Sequence, residues 1–420
     1  MEKIIVKGGK KLQGEVDISI AKNSVLPIIV ATILNPTKVV INNVPMLEDV
    51  TVLINLLREL NCAVSFSQIT GELIIDTTNI KELDTNSELI RKMRASFLVM
   101  GPMLARFGRC KISLPGGCNI GSRPIDLHLK GFKCLGIESE TEYGYVEAKA
   151  KKIVGTRVYL DFPSVGATEN IMMIAVLAEG TTIIENAAEE PEIWDLARFL
   201  NSMGADIQGA GYGTITINGV KSLHQPKPFT PIFDRIEAGT FMVAAAITNS
   251  KITINGVNEQ HLMPTIEKLK ECGVGCEIFG QKLIVDGTKA KKPVDIKTMP
   301  YPGFPTDMQP QMMALLSMTP GVSVITETVF ENRFMHVGEL GRMGANIKID
   351  GRVAIVEGVN QLTGCEVKAT DLRAGAAMIL AGLVANGVTE IGEIYHIDRG
   401  YTNIEEKFQK LGAEVYRITK

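Results

Sequence analysis

The chain has 420 residues, of which 45% are hydrophobic and 22% charged, and its formal net charge at pH 7 is -3. A chain of this length exceeds one ordinary hydrophobic core, so two large domains are expected. The near-neutral charge gives no overall attraction for nucleic acid or for an anionic membrane, and neither is expected as a partner. Anion binding would have to come from locally placed Lys and Arg side chains.

Targeting and metal-binding signals are missing from the sequence. The longest apolar stretches, such as 26–34 and 376–385, are too short to span a bilayer, and the charged N-terminal residues precede no secretory signal core. Seven cysteines, an odd number, argue against a fully paired disulfide framework. Cys272 and Cys276 have no nearby histidine or second cysteine pair to complete a zinc site. We therefore expect a cytoplasmic protein without a metal or a cofactor.

An internal repeat organises the chain. Six Gly or Asn residues each follow a helical pattern and precede an alternating, strand-like run, with spacings of 75, 68, 69, 71 and 68 residues: Asn61, Gly136, Gly204, Gly273, Gly344 and Gly412. Such residues suit the left-handed position that closes a helix. Each one therefore predicts a helix end followed by a strand.

A second helix recurs in register with the first. These segments are apolar nearly all round, which is typical of a helix in the middle of a core. Their predicted starts are Asn23, Ala95, Ala167, Ala238, Gln309 and Ala374. The pattern predicts an α/β protein of six similar repeats, arranged as two pseudo-threefold domains of three repeats each.

The domain limits follow from the register of the repeats. The Pro-rich stretch 225–231 separates the third repeat from the fourth and is typical of a hinge or linker. The first 20 or so residues precede the first repeat and are expected to form a strand pair that completes the last one. We thus predict one domain over 22–230 and a second, discontinuous domain made of 1–21 and 231–420.

Charged residues gather at the starts of the buried helices, where unpaired N–H groups and the helix dipole favour anions. The residues there are Lys22, Arg94, Gly166, Glu237, Asp307, Asp371 and Arg373. Helix capping is the alternative for Asp307 and Asp371. Because Lys and Arg oppose the dipole at a helix start, Lys22, Arg94 and Arg373 point to a ligand.

A glycine-rich loop carries the remaining chemical signal. Residues 114–128 contain three glycines, Cys118 and Arg123, and a long glycine-rich loop of this kind is commonly functional. Exposure and nearby cations would favour the thiolate of Cys118, although an incidental small hydrophobic residue is the alternative. The sequence lacks a Gly-x-x-x-x-Gly-Lys-Ser/Thr motif, which disfavours nucleotide hydrolysis.

At these residues the chain resembles the UDP-N-acetylglucosamine 1-carboxyvinyltransferase family of enolpyruvyl transferases. The matching motifs are Ala21–Ser24, Arg94–Ser96, Leu114–Cys118, Ile120–His128, Ser164–Asn170, Pro302–Gln309, Phe330–Phe334, Asp371–Gly375 and Ile397–Tyr401. The resemblance implies two inside-out α/β domains, each of three βαβαββ repeats, with the active site in the cleft between them. It also implies transfer of the enolpyruvyl group of phosphoenolpyruvate to the 3′-hydroxyl of UDP-N-acetylglucosamine in the first committed step of peptidoglycan precursor synthesis, with release of phosphate.

The resemblance further assigns roles to individual residues. Asp307 would take the proton of the sugar hydroxyl, and Cys118, the residue that the epoxide fosfomycin would alkylate, would help to protonate the methylene carbon. The other phosphoenolpyruvate residues would be Lys22, Arg123 and Arg399 at the phosphate, Arg333 and Arg373 at the carboxylate, and Asn23, Arg94 and Asp371 lining the site, with Asp371 orienting Lys22.

The sugar nucleotide site rests on the resemblance alone. It would comprise Pro124, Ile125, Asp126, Leu127, Ser164, Val165, Gly166, Asp307 and Val329, with Asn23, Arg94 and Arg123 shared with phosphoenolpyruvate. The chain departs from the family pattern at Phe162, where some members have a lysine, and at Glu189, where a basic residue is common. Two rival functions are the related transfer to shikimate 3-phosphate, which does not need the Cys118 loop, and a catalytically inactive paralogue.

Overall fold

The computed structural model describes residues 2–81, 94–114 and 125–419, with side chains from 97 onward in the second of these ranges. By contacts, the chain divides into two compact units. Unit 1 contains residues 2–19 and 233–419, and unit 2 contains the described residues from 20 to 232. The domain limits predicted from the sequence stay predictions, because contact grouping does not test which parts fold independently.

Unit 2 alternates helices with short strands. Its α-helices are Lys22–Ala31, Glu48–Glu59, Met100–Phe107, Asp126–Cys134, Val165–Ala175 and Pro191–Ser202, and its 3₁₀ turns are Thr32–Leu34 and Arg94–Val99. Its described strands form three sheets, whose members are, in order, Lys38–Ile41, Leu73–Asp76 and Ala63–Phe66; Arg109–Ser113, Tyr145–Lys149 and Glu138–Glu142; and Asp206–Gln208, Thr214–Asn218, Thr181–Glu185 and Arg157–Tyr159.

Unit 1 repeats the plan with three four-stranded sheets. Its α-helices are Arg235–Ile247, Glu259–Glu271, Gln309–Ser317, Val337–Arg342, Leu372–Val384, Tyr395–Asp398 and Ile404–Lys410, and its 3₁₀ turn is Thr306–Met308. Its sheets contain, in order, Gly275–Phe279, Lys282–Asp286, Lys251–Asn255 and Glu15–Asp17; Ile296–Lys297, Val322–Thr326, Val353–Glu357 and Asn346–Asp350; and Glu366–Lys368, Val388–Gly392, Glu2–Lys7 and Glu414–Thr419. The predicted α/β fold of βαβαββ repeats is confirmed.

Five of the six buried helices, here called the core helices, begin within three residues of their predicted starts. The second opens as the 3₁₀ turn Arg94–Val99, and its α-helix begins at Met100, five residues after the predicted Ala95. The core helices are almost wholly apolar, and in Gln309–Ser317 every residue is buried. In unit 1 the three core helices contact one another and are surrounded by the sheets and outer helices. Burial of apolar surface on all sides explains why these segments have no polar face.

The six predicted helix-closing residues all have left-handed backbone conformations. Their φ angles are 66° at Asn61, 83° at Gly136, 96° at Gly204, 95° at Gly273, 98° at Gly344 and 90° at Gly412. A side chain bearing a Cβ rarely adopts such angles, so Gly and Asn are selected there. The predicted repeat is therefore a real structural period.

One short segment corrects the expectation for the N-terminus. Glu2–Lys7 does complete the last repeat, but Glu15–Asp17 pairs in parallel with Lys251–Asn255 in the sheet of the fourth. The predicted strand pair is therefore wrong. In the predicted linker, Phe229 is buried and bridges to Ile41 of unit 2, and the role of this stretch as a hinge stays a prediction.

No helix within the described ranges has both the length and the apolar character needed to cross a membrane.

Candidate active site

Three predicted site residues meet where two core helices of unit 1 begin. Asp307 lies on the 3₁₀ turn Thr306–Met308, and Arg373 lies in the first turn of Leu372–Val384. The Oδ2 atom of Asp307 accepts hydrogen bonds from Nε and Nη2 of Arg373 at 3.1 and 3.0 Å. Its Oδ1 atom accepts one from Nη2 of Arg333 at 3.0 Å. A single carboxylate thus joins two guanidinium groups.

This cluster is buried on its cationic side. The side chains of Arg333 and Arg373 are 2% and 3% exposed, whereas that of Asp307 is 28% exposed. Burial by itself would lower the pKa of Arg373, but Asp307, together with the smaller effects of Tyr401 and Asp234, outweighs burial and the pKa is raised. Arg373 therefore remains cationic.

Each arginine keeps a buried N–H group without a hydrogen-bond partner within the described part of the chain. These are Nε of Arg333 and Nη1 of Arg373. Desolvated guanidinium donors are costly to leave unpaired, and they suit a planar carboxylate. The site is built to receive a second anion beside Asp307.

Glu327 holds the neighbouring loops in place. Its buried carboxylate accepts hydrogen bonds from the hydroxyls of Thr298 and Thr306, both at 2.9 Å. It also accepts the backbone N–H groups of Val329, at 2.8 Å, and of Phe330, at 3.1 Å. One carboxylate therefore fixes the turn that carries Asp307 and the half-buried Val329.

Asp371 acts as a helix cap, as the sequence alternative suggested. Its Oδ1 atom accepts the backbone N–H groups of Arg373 and Ala374 at 2.8 and 3.1 Å. The orientation of Lys22 by Asp371 stays a prediction. The nearby His336 is fully buried, and burial lowers its pKa to about 4, with Asp371 acting in the opposite direction. His336 is therefore neutral at neutral pH.

Arg399 is half-buried and follows the short helix Tyr395–Asp398. Arg417 secures this helix, because its Nη2 and Nη1 atoms donate to the carboxylate of Asp398 at 2.6 and 2.9 Å. The same guanidinium donates from Nε to Glu405 at 2.7 Å. The turn that carries Arg399 is thus anchored to the last strand of the chain.

In unit 2, Lys22 is the first residue of a core helix and is buried. Its ammonium lies 2.6 Å from Oδ2 of Asp49, which is buried as well. Asn23 is exposed, whereas the hydroxyl of Ser24 donates to the buried carboxylate of Asp195. The start of this helix therefore presents one exposed amide beside a buried, paired cation.

Two segments predicted for the sugar nucleotide lie together in unit 2. Asn170 Nδ2 is 3.0 Å from Nδ1 of His128, which links the helix Asp126–Cys134 to the helix Val165–Ala175. A Cβ on Gly166 would come within 3.4 Å of the His128 ring, so glycine permits this close approach.

The predicted contact residues of these segments sit at the two helix starts. Asp126 is exposed, and Ile125, Leu127, Val165 and Gly166 are half-buried. Ser164 caps the second helix by accepting Ala167 N–H at 3.4 Å. Phe162, where some family members have lysine, is 46% exposed. The segment that departs from the family pattern therefore reaches solvent.

Some predicted residues lie outside the described part of the chain. These are Cys118, Arg123, Pro124 and the side chain of Arg94. Within the described residues, no group of acidic, histidine or cysteine side chains is arranged to hold a metal ion. The six cysteines described are unpaired, and burial raises the pKa of Cys62 and Cys110 to about 12 and that of Cys276 to about 11.

Sequence reasoning missed the residues that hold the site together. Examples are Asp49, Asn170, Glu327, Arg417 and Tyr401. Asp49 is one of two acids in the first turn of an amphipathic helix, where a capping or dipole role is the ordinary reading. A polar residue in an otherwise apolar core helix can indicate a tertiary hydrogen bond, and Asn170 is such a residue.

Comparison with known proteins agrees with this geometry. The family model for EPSP synthase (3-phosphoshikimate 1-carboxyvinyltransferase) matches residues 6–408. Proteins named UDP-N-acetylglucosamine 1-carboxyvinyltransferase from Clostridium tetani and Clostridium acetobutylicum are 66% and 64% identical, each over 100% of both chains.

Solved structures extend the comparison. The enolpyruvyl transferase NikO from Streptomyces tendae has a TM-score of 0.90 and 25% identity, covering 100% of this chain and 99% of that one. An EPSP synthase from Acinetobacter baumannii, with a TM-score of 0.75 and 18% identity over 100% of both chains, shares the fold. The chain therefore belongs to the EPSP synthase family of enolpyruvyl transferases and, within it, to the UDP-N-acetylglucosamine 1-carboxyvinyltransferases.

Proposed function

We propose that this protein transfers the enolpyruvyl group of phosphoenolpyruvate to the 3′-hydroxyl of UDP-N-acetylglucosamine and releases phosphate. The observation that carries the proposal is the Asp307 carboxylate, flanked by Arg333 and Arg373, each of which keeps an unpaired buried N–H group. A base beside two carboxylate-binding forks is what addition of an alcohol to phosphoenolpyruvate requires. The relatives that are 57–66% identical over the whole chain carry the name of this reaction.

The reaction is an addition followed by an elimination. The sugar oxygen bonds to C2 of phosphoenolpyruvate, its proton passes to Asp307, and the C3 methylene gains a proton with help from Cys118. The resulting tetrahedral intermediate then loses a C3 proton while the bond between C2 and the phosphate oxygen breaks. Cationic character at C2 during addition favours a site in which Asp307 is kept as a carboxylate by its arginine partners.

Charge complementarity supports the assignment of the two ends of phosphoenolpyruvate. The carboxylate would take the free donors of Arg333 and Arg373, because a guanidinium fork matches a carboxylate geometrically. The phosphate would take Lys22, Arg123 and Arg399, with Asn23, Arg94 and Asp371 lining the same site. The pairing of Lys22 with Asp49 offsets the cost of a buried ammonium before phosphate binds.

The sugar nucleotide would bind the segments 123–127 and 164–166, with Val329 beside the sugar. The proximity of these segments through His128 and Asn170 supports this proposal. Free N–H groups at the start of Val165–Ala175 suit a diphosphate. We place the reaction in the cytoplasm, at the first committed step of peptidoglycan precursor synthesis, and the free cysteines fit a reducing compartment.

The main rival acceptor is shikimate 3-phosphate, the substrate in the printed name of the family model. The EPSP synthase structures, at 18–19% identity, support the shared fold alone. The full-length relatives above 50% identity instead favour the sugar nucleotide. An inactive paralogue is disfavoured because Asp307, Arg333 and Arg373 form a complete cluster.

A phosphate-release assay tests the proposed reaction. The purified protein, given phosphoenolpyruvate and UDP-N-acetylglucosamine, should release inorganic phosphate in amounts equal to the enolpyruvyl product seen by mass spectrometry. A parallel reaction with shikimate 3-phosphate should stay at background. Phosphate release with shikimate 3-phosphate, and none with UDP-N-acetylglucosamine, would contradict the proposal.

Covalent labelling tests the place of Cys118. Fosfomycin should add once, to the peptide that contains Cys118, because burial raises the pKa of Cys62, Cys110, Cys272 and Cys276. The control is Cys134→Ser, since Cys134 is the exposed thiol of the described part. That variant should be labelled as the wild type is. An adduct on the Cys134 peptide instead would remove Cys118 from the site.

Replacement of Asp49 tests whether its carboxylate stabilises the buried ammonium of Lys22. Asp49→Asn should destabilise the protein by about 3 kcal/mol, because it leaves a buried ammonium without its carboxylate. Turnover at limiting phosphoenolpyruvate should fall about tenfold, equivalent to about 1.4 kcal/mol of transition-state stabilisation. Thermal melting and the phosphate-release assay measure both effects.

The matched control is Glu48→Gln, which changes the adjacent but exposed acid of the same helix turn. It should shift stability by less than about 0.5 kcal/mol. Melting and turnover of Asp49→Asn that match this control would show that Asp49 does not support Lys22.

A further inference from the structure

A buried polar network crosses the interior of unit 1 behind Arg373. Thr240, Gln311 and Tyr401 are all 2% exposed or less, and they lie among otherwise apolar core residues. Two of them belong to core helices, Arg235–Ile247 and Gln309–Ser317. Buried hydroxyl and amide groups are costly unless they are paired, so their hydrogen-bond directions are strongly constrained.

Proton counting fixes those directions. The hydroxyl of Thr240 donates to the backbone oxygen of Ile236 at 2.9 Å, which uses its only proton. Thr240 Oγ1 must then accept from the Tyr401 hydroxyl at 2.8 Å and from Nε2 of Gln311 at 3.2 Å. Burial raises the pKa of Tyr401, so the phenol keeps the proton that it donates.

The phenol ring lies against Arg373. The guanidinium carbon of Arg373 is 5.4 Å from the centroid of the Tyr401 ring. The phenol oxygen donates to Thr240 and also accepts from Nε2 of Gln311 at 3.4 Å. The hydroxyl therefore fixes the ring that contacts the guanidinium.

Asp307 contacts the same guanidinium at a different edge. It accepts from Nε and Nη2 of Arg373, which leaves the Nη1 side toward other acceptors. A guanidinium bound along one edge can still tilt about that edge, and a second contact out of line with the first restricts the tilt.

We infer that Tyr401 is a positioning residue that sets the plane of the Arg373 guanidinium for the substrate carboxylate. The Tyr401 hydroxyl donates to Thr240, and Thr240 donates to the carbonyl of Ile236, so a core helix fixes the position of the ring over Arg373. The inference rests on the proposed function, in which Arg373 binds the carboxylate of phosphoenolpyruvate. Tyr401 acts on the substrate only through Arg373.

Tyr401→Phe tests this inference, because it keeps the ring and removes the hydroxyl that fixes the ring to Thr240. The KM for phosphoenolpyruvate should rise about tenfold, since the ring no longer holds the guanidinium in one plane. The dissociation constant of UDP-N-acetylglucosamine, measured by calorimetry, should stay within about twofold, since the sugar nucleotide does not use Arg373 in the proposed function.

Gln311→Leu is the matched control. It removes the longer contacts of Gln311 Nε2 with Thr240, at 3.2 Å, and with the Tyr401 hydroxyl, at 3.4 Å. It keeps the 2.8 Å hydrogen bond from Tyr401 to Thr240 that fixes the ring, so the KM for phosphoenolpyruvate should stay within about twofold. Equal changes in KM in both variants, or an unchanged KM in Tyr401→Phe, would overturn the inference. A wild-type protein that is inactive with both substrates would instead contradict the proposed function, so the two failures are distinguishable.

Discussion

The placement of one carboxylate between two buried guanidinium groups is the constraint on which the candidate site depends. Arg333 and Arg373 would repel each other across a poorly solvated space, and Asp307 offsets that repulsion with a hydrogen bond to each. The carboxylate accepts hydrogen bonds from only some N–H groups of the two guanidinium groups and leaves Nε of Arg333 and Nη1 of Arg373 unpaired. In the proposed function, the same arrangement of charges would both bind an anionic substrate and supply the base that starts its reaction.

The surrounding structure keeps that arrangement in place. Glu327 accepts four hydrogen bonds and fixes the turn that carries Asp307. Asp371 caps the helix that carries Arg373. Arg417 ties the turn that carries Arg399 to the last strand. Each of these supports is a charged side chain satisfied by several partners, which is a rigid way to hold a loop.

The fold brings the N-terminal turns of the core helices into regular positions, and several of the charged site residues lie in these turns. Every repeat places a core helix in an apolar interior, so most of the helix is apolar in each repeat. The first turn differs: Lys22 opens one core helix, and Arg373 lies in the first turn of another, whose N–H groups are capped by Asp371. A cation in a first turn opposes the helix dipole, and in the proposed function a phosphate or carboxylate would compensate for it.

Much of the fold could be predicted from the sequence because the repeat has local causes. Residues such as Asn61 and Gly344 must be left-handed, and the core helices must be apolar on all sides. The pairing of Glu15–Asp17 with a strand more than 230 residues later was missed, since no local pattern encodes a distant partner. The same applies to the contact of Lys22 with Asp49.

The side chains at the site show the same division. Asp307 and Arg373 could be proposed from their position at helix starts and from the family motifs. The supports Glu327 and Tyr401 could not, because their roles arise from tertiary contacts between loops and helices far apart in the chain. Prediction from the sequence therefore reached the residues that would meet the substrate and stopped short of those that hold them.

The turnover of Asp307→Asn at saturating phosphoenolpyruvate and UDP-N-acetylglucosamine is the most direct measurement of the central claim. The amide keeps the shape of the side chain but cannot take the hydroxyl proton or neutralise two guanidinium groups. Our account predicts that phosphate release falls at least about a thousandfold, the scale expected for loss of a general base. Calorimetry should still detect binding of the sugar nucleotide. Turnover above a tenth of the wild-type rate would contradict the claim that this carboxylate is the centre of the site.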